Sequence, residues 1–184
     1  MTSSAAEPFS AGNFQTWLGQ ITLAISEGAD SDVPCGSCSA CCRSSQFILV
    51  ADTDVAARSV IPAELLFAAP GLPAGNHVMG FDAQGHCPMF GDQGCSIYDS
   101  RPQACRTYDC RIFAATGIDV AVDGHTEIAA RVDQWQFELG AEGDVALAAV
   151  RAAADYVTAN AQTLGLEYSA TARALAAIQM TTQP

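Results

Sequence analysis

Eight cysteines, all between residues 35 and 110 of this 184-residue chain, are the residues best suited to carry chemistry. The first four form the run CGSCSACC over residues 35–42, and every spacer in it is small. Small spacers allow a tight backbone, so thiolates at intervals of three residues can turn toward one centre from a single loop. Thiolates are soft ligands that suit zinc and iron–sulfur clusters. The sequence therefore predicts metal binding by Cys35, Cys38, Cys41, Cys42, Cys87, Cys95, Cys105 and Cys110.

The spacing of the first cysteines is typical of an iron–sulfur ligand run. Cys35, Cys38 and Cys41 repeat the first three positions of the ferredoxin pattern C-x2-C-x2-C-x3-C-P. The local fourth cysteine is missing, but Cys87 precedes Pro88 further along the chain. These three cysteines and Cys87 make one plausible four-thiolate set.

The adjacent pair Cys41–Cys42 predicts a second set. Successive side chains of an extended backbone point in opposite directions, so two adjacent thiols seldom reach the same centre. We therefore expect Cys42 either to bridge or to join Cys95, Cys105 and Cys110 in a second site. A single shared site is the alternative.

Half of the eight basic residues, all of which are arginine, lie beside cysteines. They are Arg43, Arg101, Arg106 and Arg111. Guanidinium groups lower the pKa of nearby thiols and offset the negative charge of a thiolate–metal centre. The alternative is that these arginines pair with Asp92, Asp99 and Asp109 on a solvated surface.

The cysteine region as a whole resembles a known family. The order CxxCxxCC, then CPM, then CxIYxxRPxxCRxYxC is similar to the YkgJ-type cysteine-cluster proteins, a CxxCxxCC family described as zinc- or iron-chelating. The resemblance covers about residues 35–110 and implies that all eight cysteines bind metal, but it implies no reaction. It extends to Arg101, Pro102, Arg106 and Tyr108. With Arg43, three of these form our set of candidate cofactor-binding residues: Arg43, Arg101, Arg106 and Tyr108.

The spacing of the cysteines helps to distinguish zinc from an iron–sulfur cluster. Zinc fits four thiolates in a closed tetrahedral site and would stabilise loops. Zinc ribbons, however, pair two CxxC knuckles, whereas residues 87–110 separate their cysteines by 7, 9 and 4 residues. The CxxCxxC run, the Cys–Pro pair and the absence of histidine at ligand spacing favour an iron–sulfur cluster of the [4Fe–4S] type. Only His86 abuts a cysteine and could replace one as a ligand.

These observations predict a protein with a redox or accessory role and an unknown redox or modification-enzyme partner. A zinc-stabilised interaction module without redox chemistry is the first alternative, and an enzyme acting at an exposed cluster is the second. Tyr98 and Tyr108 could lie beside the centre, although we expect Tyr98 to pack in the core.

The net charge and the first residues of the chain indicate which partners and which compartment to expect. The net charge of -12, from 20 acidic and 8 basic residues, disfavours binding to nucleic acid or to an anionic membrane. Residues 1–8 have neither a basic region nor an apolar stretch typical of a secretory leader. We therefore expect a cytoplasmic protein, in a compartment that keeps thiols reduced.

The elements that position the cysteines are predicted to be mainly α with little β. Apolar residues at helical spacing predict a core-facing helix over residues 13–27 that ends at Gly28. Residues 46–50 suit a short strand or a buried connector, and Asp52 or Thr53 is expected to cap a helix that runs to about residue 60. Pro62 is expected to open another short helix through residue 67.

Composition and residue alternation predict the secondary structure of the remainder of the chain. Residues 70–94 are rich in glycine and proline and predict irregular loops. Residues 118–137 alternate weakly and could form strands or a hairpin around Asp123 and Gly124. Residues 141–164 and 169–180 are alanine-rich and predict two helices separated by Gly165.

The domain prediction follows from length and core size. We expect a single domain over residues 1–184, with a metal-binding region at 35–111 and a helical C-terminal layer at 141–180. In this picture the metal stabilises a loop-rich cysteine cluster that packs on the helices.

Overall fold

The computed structural model describes residues 8–182, which divide into two compact units. The helical unit contains the described residues up to Pro34 and from Asp109 onward, and the cysteine unit is Cys35–Tyr108. About half of the chain is helical and 13% is strand, so the prediction of a mainly α fold with little β is confirmed. The single domain, its metal stabilisation and the packing of the cysteine cluster on helices stay predictions.

Eight helices and seven short strands are labelled here in chain order within the described residues. The helices are α1 (Phe14–Glu27), α2 (Val55–Val60), α3 (Gln103–Arg106), α4 (Arg111–Thr116), α5 (Thr126–Val132), α6 (Ala141–Ala159), α7 (Ala161–Leu164) and α8 (Ala170–Thr182). The strands are β1 (Phe9–Asn13), β2 (Ile48–Val50), β3 (Leu66–Ala68), β4 (His77–Met79), β5 (Phe90–Gly91), β6 (Gly94–Cys95) and β7 (Trp135–Glu138). Short 3-10 helices lie at Ala40–Arg43, Ala63–Leu65, Tyr98–Ser100 and Ala121–Asp123. No helix in this part of the chain is long and apolar enough to cross a membrane.

Helix α1 confirms the amphipathic segment predicted from the sequence. The side chain of Asn13 caps its start, and Gly28 ends it with a φ of 68°, a left-handed conformation that glycine adopts without strain. Phe14, Trp17 and Ile21 are buried along one face. The spacing of apolar residues therefore gave both the element and its buried side.

The two alanine-rich C-terminal segments are helical, as predicted. Helix α6 packs along α8, and α4 packs against both. Small side chains at this contact let the helices approach closely, so a large apolar area is removed from water. Gly165 lies in the left-handed region between them. The buried residues of α6 and α8 include Val150, Ala154, Val157, Ala174, Ala177 and Ile178.

Of the two alternatives for residues 118–137, the hairpin around Asp123 and Gly124 is wrong, and a strand is present. Gly124, with a φ of 87°, ends a 3-10 helix, and helix α5 follows it. The strand in this stretch is β7, which pairs in parallel with β1. Parallel pairing of segments more than 100 residues apart is a tertiary contact, which local alternation cannot predict.

The cysteine unit contains a three-stranded antiparallel sheet with strand order β2-β4-β3. The predicted strand at 46–50 is confirmed in its last three residues. The loops predicted over residues 70–94 are present, interrupted by β4, by β5 and by the start of β6. The predicted cap is wrong, because Asp54, not Asp52 or Thr53, precedes α2. Pro62 opens a 3-10 helix as expected, but the chain then continues as β3. The small apolar core contains Val50, Ala57, Ile61, Met79 and Cys87.

A buried ion pair links several segments of the helical unit. Arg111 Nη2 donates to Asp109 Oδ2 at 2.7 Å, and the Trp17 indole donates to the same oxygen at 2.9 Å. Arg111 also donates to the carbonyl oxygens of Ala11, at 3.2 Å, and Asp32, at 3.0 Å. The alternative of a solvated Asp109–arginine pair is therefore corrected, because both side chains are buried. In a buried environment, a polar group without a partner costs more free energy than it would in water.

Candidate metal centre

The first cysteine motif folds into two successive tight turns. The amide of Cys38 donates to the carbonyl of Cys35 at 3.0 Å, and the amide of Cys42 donates to that of Ser39 at 3.0 Å. Gly36 lies in the left-handed region with a φ of 57°, which the first turn requires. The second turn is the 3-10 helix that carries Cys41 and Cys42. The small spacers noted in the sequence thus permit the tight path that was expected.

Backbone hydrogen bonds connect this motif to the segment that carries Cys87. The Cys87 amide donates to the Cys42 carbonyl at 2.7 Å, and the Ser45 amide donates to the Gly85 carbonyl at 2.8 Å. Ser45 and Gly85 both have positive φ, 51° and 81°. A Cβ atom on Gly85 would overlap the Ser45 hydroxyl. Glycine is therefore required here for both conformation and space.

A short hairpin brings Cys95 back toward Cys87. Strands β5 and β6 pair antiparallel, with Phe90 opposite Cys95. The amide of Phe90 donates to the Cys87 carbonyl at 2.9 Å, which fixes the turn into the hairpin. The seven-residue spacing between the two cysteines thus corresponds to one hairpin.

Cys105 lies on the four-residue helix α3. Its amide donates to the carbonyl of Pro102 at 2.9 Å, and Pro102 is fully buried. The amide of Gln103, the first residue of α3, donates to Asp54 Oδ1 at 2.8 Å. This partner lies 49 residues earlier in the sequence. Sequence reasoning missed Asp54, because nothing local distinguishes its carboxylate from its neighbours.

Cys41, Cys87, Cys95 and Cys105 lie close enough to act on one another's charge, and we call them the four-thiol group. Burial, and then the neighbouring thiols Cys41, Cys87 and Cys95, raise the pKa of Cys105 to about 12. Burial is also the main cause of the raised pKa of Cys87, with Cys95 and Cys41 adding to it. Like charges at short range disfavour ionisation, so these shifts report proximity as well as desolvation.

Cys41 differs from the other members of the group. The side chain of Cys42 hydrogen-bonds to it, and this contact is the main reason that its pKa is raised; loss of hydration adds to the effect. The residue as a whole is exposed, whereas Cys87 is buried. Cys42 itself packs against the apolar core of the unit. The side chains of Cys41 and Cys42 thus contact each other, and the assignment of Cys42 to a second site stays a prediction.

Arg101 is the cation associated with the four-thiol group. Its charge lowers the pKa of Cys105 against the larger effects that raise it. Its guanidinium carbon lies 3.6 Å from the centre of the Tyr98 ring, a cation–π contact. Tyr98 is 59% exposed, so the expectation that it packs in the core is wrong. The Arg101 Nε atom is buried and has no hydrogen-bond acceptor among the described residues.

The other candidate cofactor-binding residues occupy the same unit. Arg106 donates from Nη1 to the Arg101 carbonyl at 3.0 Å, and Gln46 donates to the Tyr108 hydroxyl at 3.4 Å. Arg43 ends the 3-10 helix that carries Cys41 and Cys42. Their assignment to a cofactor stays a prediction.

Cys110 lies beyond the cysteine unit, at the start of α4 in the helical unit. The indole nitrogen of Trp135 donates to its sulfur at 3.3 Å. The guanidinium of Arg131 stacks on the same indole, 4.5 Å from its centre. The sequence carries no pattern that would relate Trp135 to a cysteine 25 residues away, so reasoning from spacing missed it.

The thiols that act electrostatically on Cys105 come from both of the sets expected from the sequence: Cys41 and Cys87 from the first, and Cys95 from the second. The division of the cysteines between two sites stays a prediction. Cys35 and Cys38 belong to the same unit, and their role as ligands stays a prediction, as does that of Cys110. Across residues 8–182, no three Cys, His, Asp or Glu side chains are arranged as ligands of one metal ion.

The donor set nevertheless fits a thiolate-bound metal. Burial and neighbouring thiols raise the pKa of Cys87 and Cys105, and a bound cation would relieve both effects. The buried Arg101 N–H without an acceptor suits a deprotonated sulfur nearby.

Comparisons with known proteins agree with this chemistry. A family model described as "CxxCxxCC: Putative zinc- or iron-chelating domain" matches residues 34–130, slightly more than half of the chain. Searches of curated proteins and of solved structures found no match.

Proposed function

The chain belongs to the CxxCxxCC family of zinc- or iron-chelating domains, and from this premise we propose that it is an iron–sulfur protein with a redox or accessory role. The observation that carries the proposal is the four-thiol group, since four thiolates are the usual ligand set of a [4Fe–4S] cluster. When bound, such a cluster supplies one-electron transfer. Cys41, Cys87, Cys95 and Cys105 would hold it.

Two further features support iron–sulfur over zinc. Cys35, Cys38 and Cys41 have the spacing of the first three ferredoxin ligands, and Cys87 precedes a proline as the fourth ferredoxin cysteine does. Arg101 adds a buried N–H with no acceptor among the described residues, and hydrogen bonds to sulfur are one means by which proteins set a cluster's potential. Arg101, held against Tyr98, would donate to sulfur and offset negative charge.

The proposal includes a reducing, cytoplasmic setting, because thiols persist there as ligands. It also includes a protein partner for electron or cluster transfer rather than nucleic acid or membrane, because the net charge of -12 repels both polyanions.

The test is anaerobic purification followed by absorption spectroscopy and analysis of iron, acid-labile sulfide and zinc. We expect a brown protein with iron and sulfide in near-equal amounts. A colourless protein with stoichiometric zinc and no sulfide would overturn the iron–sulfur assignment while leaving metal binding intact.

Two cysteine variants test the ligand assignment in the same preparation. Cys105→Ser removes a member of the four-thiol group and should abolish its cluster. Cys38→Ser removes a predicted ligand outside that group, so it should spare this cluster and reduce total metal only if a second centre exists. Equal loss in both variants would indicate one site shared by all these cysteines.

A zinc-stabilised interaction module is the second candidate, and the β5–β6 hairpin favours it. The hairpin places Cys87 and Cys95 on either side of one tight turn, so that both could ligate one closed tetrahedral zinc site. In that case the four-thiol group would bind zinc, contribute to folding and carry no electron.

A further inference from the structure

Asp54 is buried in the cysteine unit, and only 8% of its surface is exposed. It precedes α2, where a carboxylate would normally accept a hydrogen bond from the first turn of its own helix. Its side chain makes no such bond to α2. Both carboxylate oxygens instead accept from backbone amides elsewhere: Oδ2 from Ala51 at 2.9 Å and Oδ1 from Gln103 at 2.8 Å.

The bond to Gln103 satisfies an amide that helix α3 leaves open. The first amides of any helix have no partner within it, and a buried amide without a partner is costly. Asp54 therefore caps α3 from 49 residues away. Since α3 has only four residues, this bond and the buried Pro102 before it determine where the helix starts.

The position of α3 determines the position of Cys105. Cys105 is the third residue of this helix, and its amide bonds back to Pro102. Its thiol is the member of the four-thiol group that interacts electrostatically with all three others. A shift at the start of α3 would therefore move Cys105 relative to Cys41, Cys87 and Cys95.

We propose that Asp54 is the positioning residue of the metal centre: it caps α3 so that the Cys105 thiol stays with the other three, without touching the metal itself. The inference rests on the proposed metal binding by the four-thiol group. Because both oxygens of Asp54 bond to amides, the carboxylate is already committed and is not assigned as a ligand.

The variant that tests this is Asp54→Asn, with Asp52→Asn as its matched control. Asparagine keeps the size of the side chain, but it has one acceptor oxygen and would present an N–H group to one of the two amides. Asp52 is an exposed carboxylate two residues away, whose side chain is not needed for any of these bonds. Both variants remove one charge from the same segment.

The first measurement is titration of the full-length, metal-free protein with Co²⁺, followed by its thiolate charge-transfer absorption. Partners that orient metal ligands typically change metal affinity by about 10–100-fold when mutated, and we expect a loss of that size for Asp54→Asn. Asp52→Asn should bind as the parent does. If the parent protein shows no such band, the proposed metal binding fails; if the parent binds and the two variants bind alike, only the role of Asp54 fails.

A double-mutant comparison separates positioning of Cys105 from a general loss of structure. In a Cys105→Ser background, where Co²⁺ retains the remaining thiols, Asp54→Asn should cause no further loss of affinity. An equal fold-loss in both backgrounds would mean that Asp54 acts on the whole unit, and it would overturn the proposal.

Gln103→Pro tests the same hydrogen bond from the donor side. Proline is tolerated at the first position of a helix, and Pro102 already has the extended conformation that a residue before proline needs. This variant removes the amide hydrogen and keeps Asp54. We expect the same loss of Co²⁺ affinity as for Asp54→Asn, with no additive loss in the double variant. Parent-like binding would contradict the proposal.

A final readout needs no metal. In the metal-free chain, alkylation of each cysteine is followed by mass spectrometry. Release of α3 should raise the alkylation rate of Cys105 relative to Cys87 in Asp54→Asn and in Gln103→Pro, but not in Asp52→Asn. Unchanged relative rates in all three variants would exclude a positioning role.

Discussion

The helical unit and the cysteine unit are stabilised by different means. Among residues 8–182, nineteen of the buried hydrophobic residues lie in the helical unit and seven in the cysteine unit. Three of those seven are alanine and one is Cys87. Burial of apolar surface is the main favourable term in folding, so the cysteine unit has much less of it to oppose chain entropy. A metal bound by its thiols would supply what the apolar core does not.

Removal of the metal should produce the largest difference in stability between the two units. Metal binding contributes about 10 kcal/mol or more to folding in small thiolate sites, far more than any one side chain. We expect chelation to abolish amide protection throughout Cys35–Tyr108 while α1, α6 and α8 remain protected. Hydrogen exchange followed by mass spectrometry measures both units in one experiment. Equal loss of protection in the two units would show that they do not differ in this way.

The second largest effect is expected in the helical unit. Asp109→Asn removes one partner of a buried ion pair and leaves Arg111 without its carboxylate. Breaking a buried pair in this manner costs about 3–5 kcal/mol. Thermal unfolding should show a large loss for the helical unit, with Co²⁺ affinity of the cysteine unit retained at a temperature where the variant is folded. Asp99→Asn is the control at an acidic residue of the cysteine unit, and it should leave the melting of the helical unit unchanged.

The third prediction concerns Gly85 in the cysteine unit. Gly85→Ala forces a side chain into the left-handed region and against the Ser45 hydroxyl, at an expected cost of about 1–3 kcal/mol. Denaturant unfolding and Co²⁺ affinity should both report the loss, because the same segment leads into Cys87.

Gly94→Ala is its matched control. Gly94 also has a positive φ, 96°, but a Cβ atom there meets nothing within 4 Å. Gly94→Ala should therefore be destabilised only by backbone strain and not by overlap. Ser45→Gly in the Gly85→Ala background should recover the part due to overlap. Equal effects of the two glycine variants would exclude the overlap.

The smallest effect is expected for Trp135→Phe. This change removes the N–H that donates to the Cys110 sulfur and keeps a six-membered aromatic ring at the position. A hydrogen bond of this kind contributes about 0.5–1.5 kcal/mol, so the melting temperature of the helical unit should fall only slightly. Differential scanning calorimetry can compare it with Asp109→Asn. A loss as large as that of Asp109→Asn would indicate that the Trp135–Cys110 contact is a principal support of the helical unit.

The sequence predicts the helices of this molecule better than its other contacts, for a physical reason. Helix α1 and the alanine-rich helices have their apolar residues at helical spacing within one segment, so their buried faces can be read locally. Strand β7 gives no such indication, because its pairing partner β1 lies more than 100 residues away. The local sequence likewise indicates Asp52 or Thr53 as the cap of α2, and only the fold reveals that the carboxylate oxygens of Asp54 accept from Ala51 and Gln103.

The candidate site also has some features that the sequence predicts and others that it does not. Its chemistry follows from residue types and spacing, so the cysteines and their family could be identified from the sequence. The grouping of Cys41 with Cys87, Cys95 and Cys105 could not, because it depends on where three separate loops close. Spacing counts residues along the chain, whereas the β5–β6 hairpin and the cap on α3 set distances in space.

The buried Arg111 side chain has a consequence for how the cysteine segment folds. Arg111 follows that segment in the sequence, yet it donates to the carbonyl of Asp32, which precedes it. Once the helical unit has formed, the two ends of the 74-residue insertion Cys35–Tyr108 are already close together. Closing a flexible loop of this length costs on the order of 4 kcal/mol in chain entropy. Folding of the helical unit thus already includes this loss of chain entropy. The inserted segment therefore needs less favourable interaction energy of its own to fold.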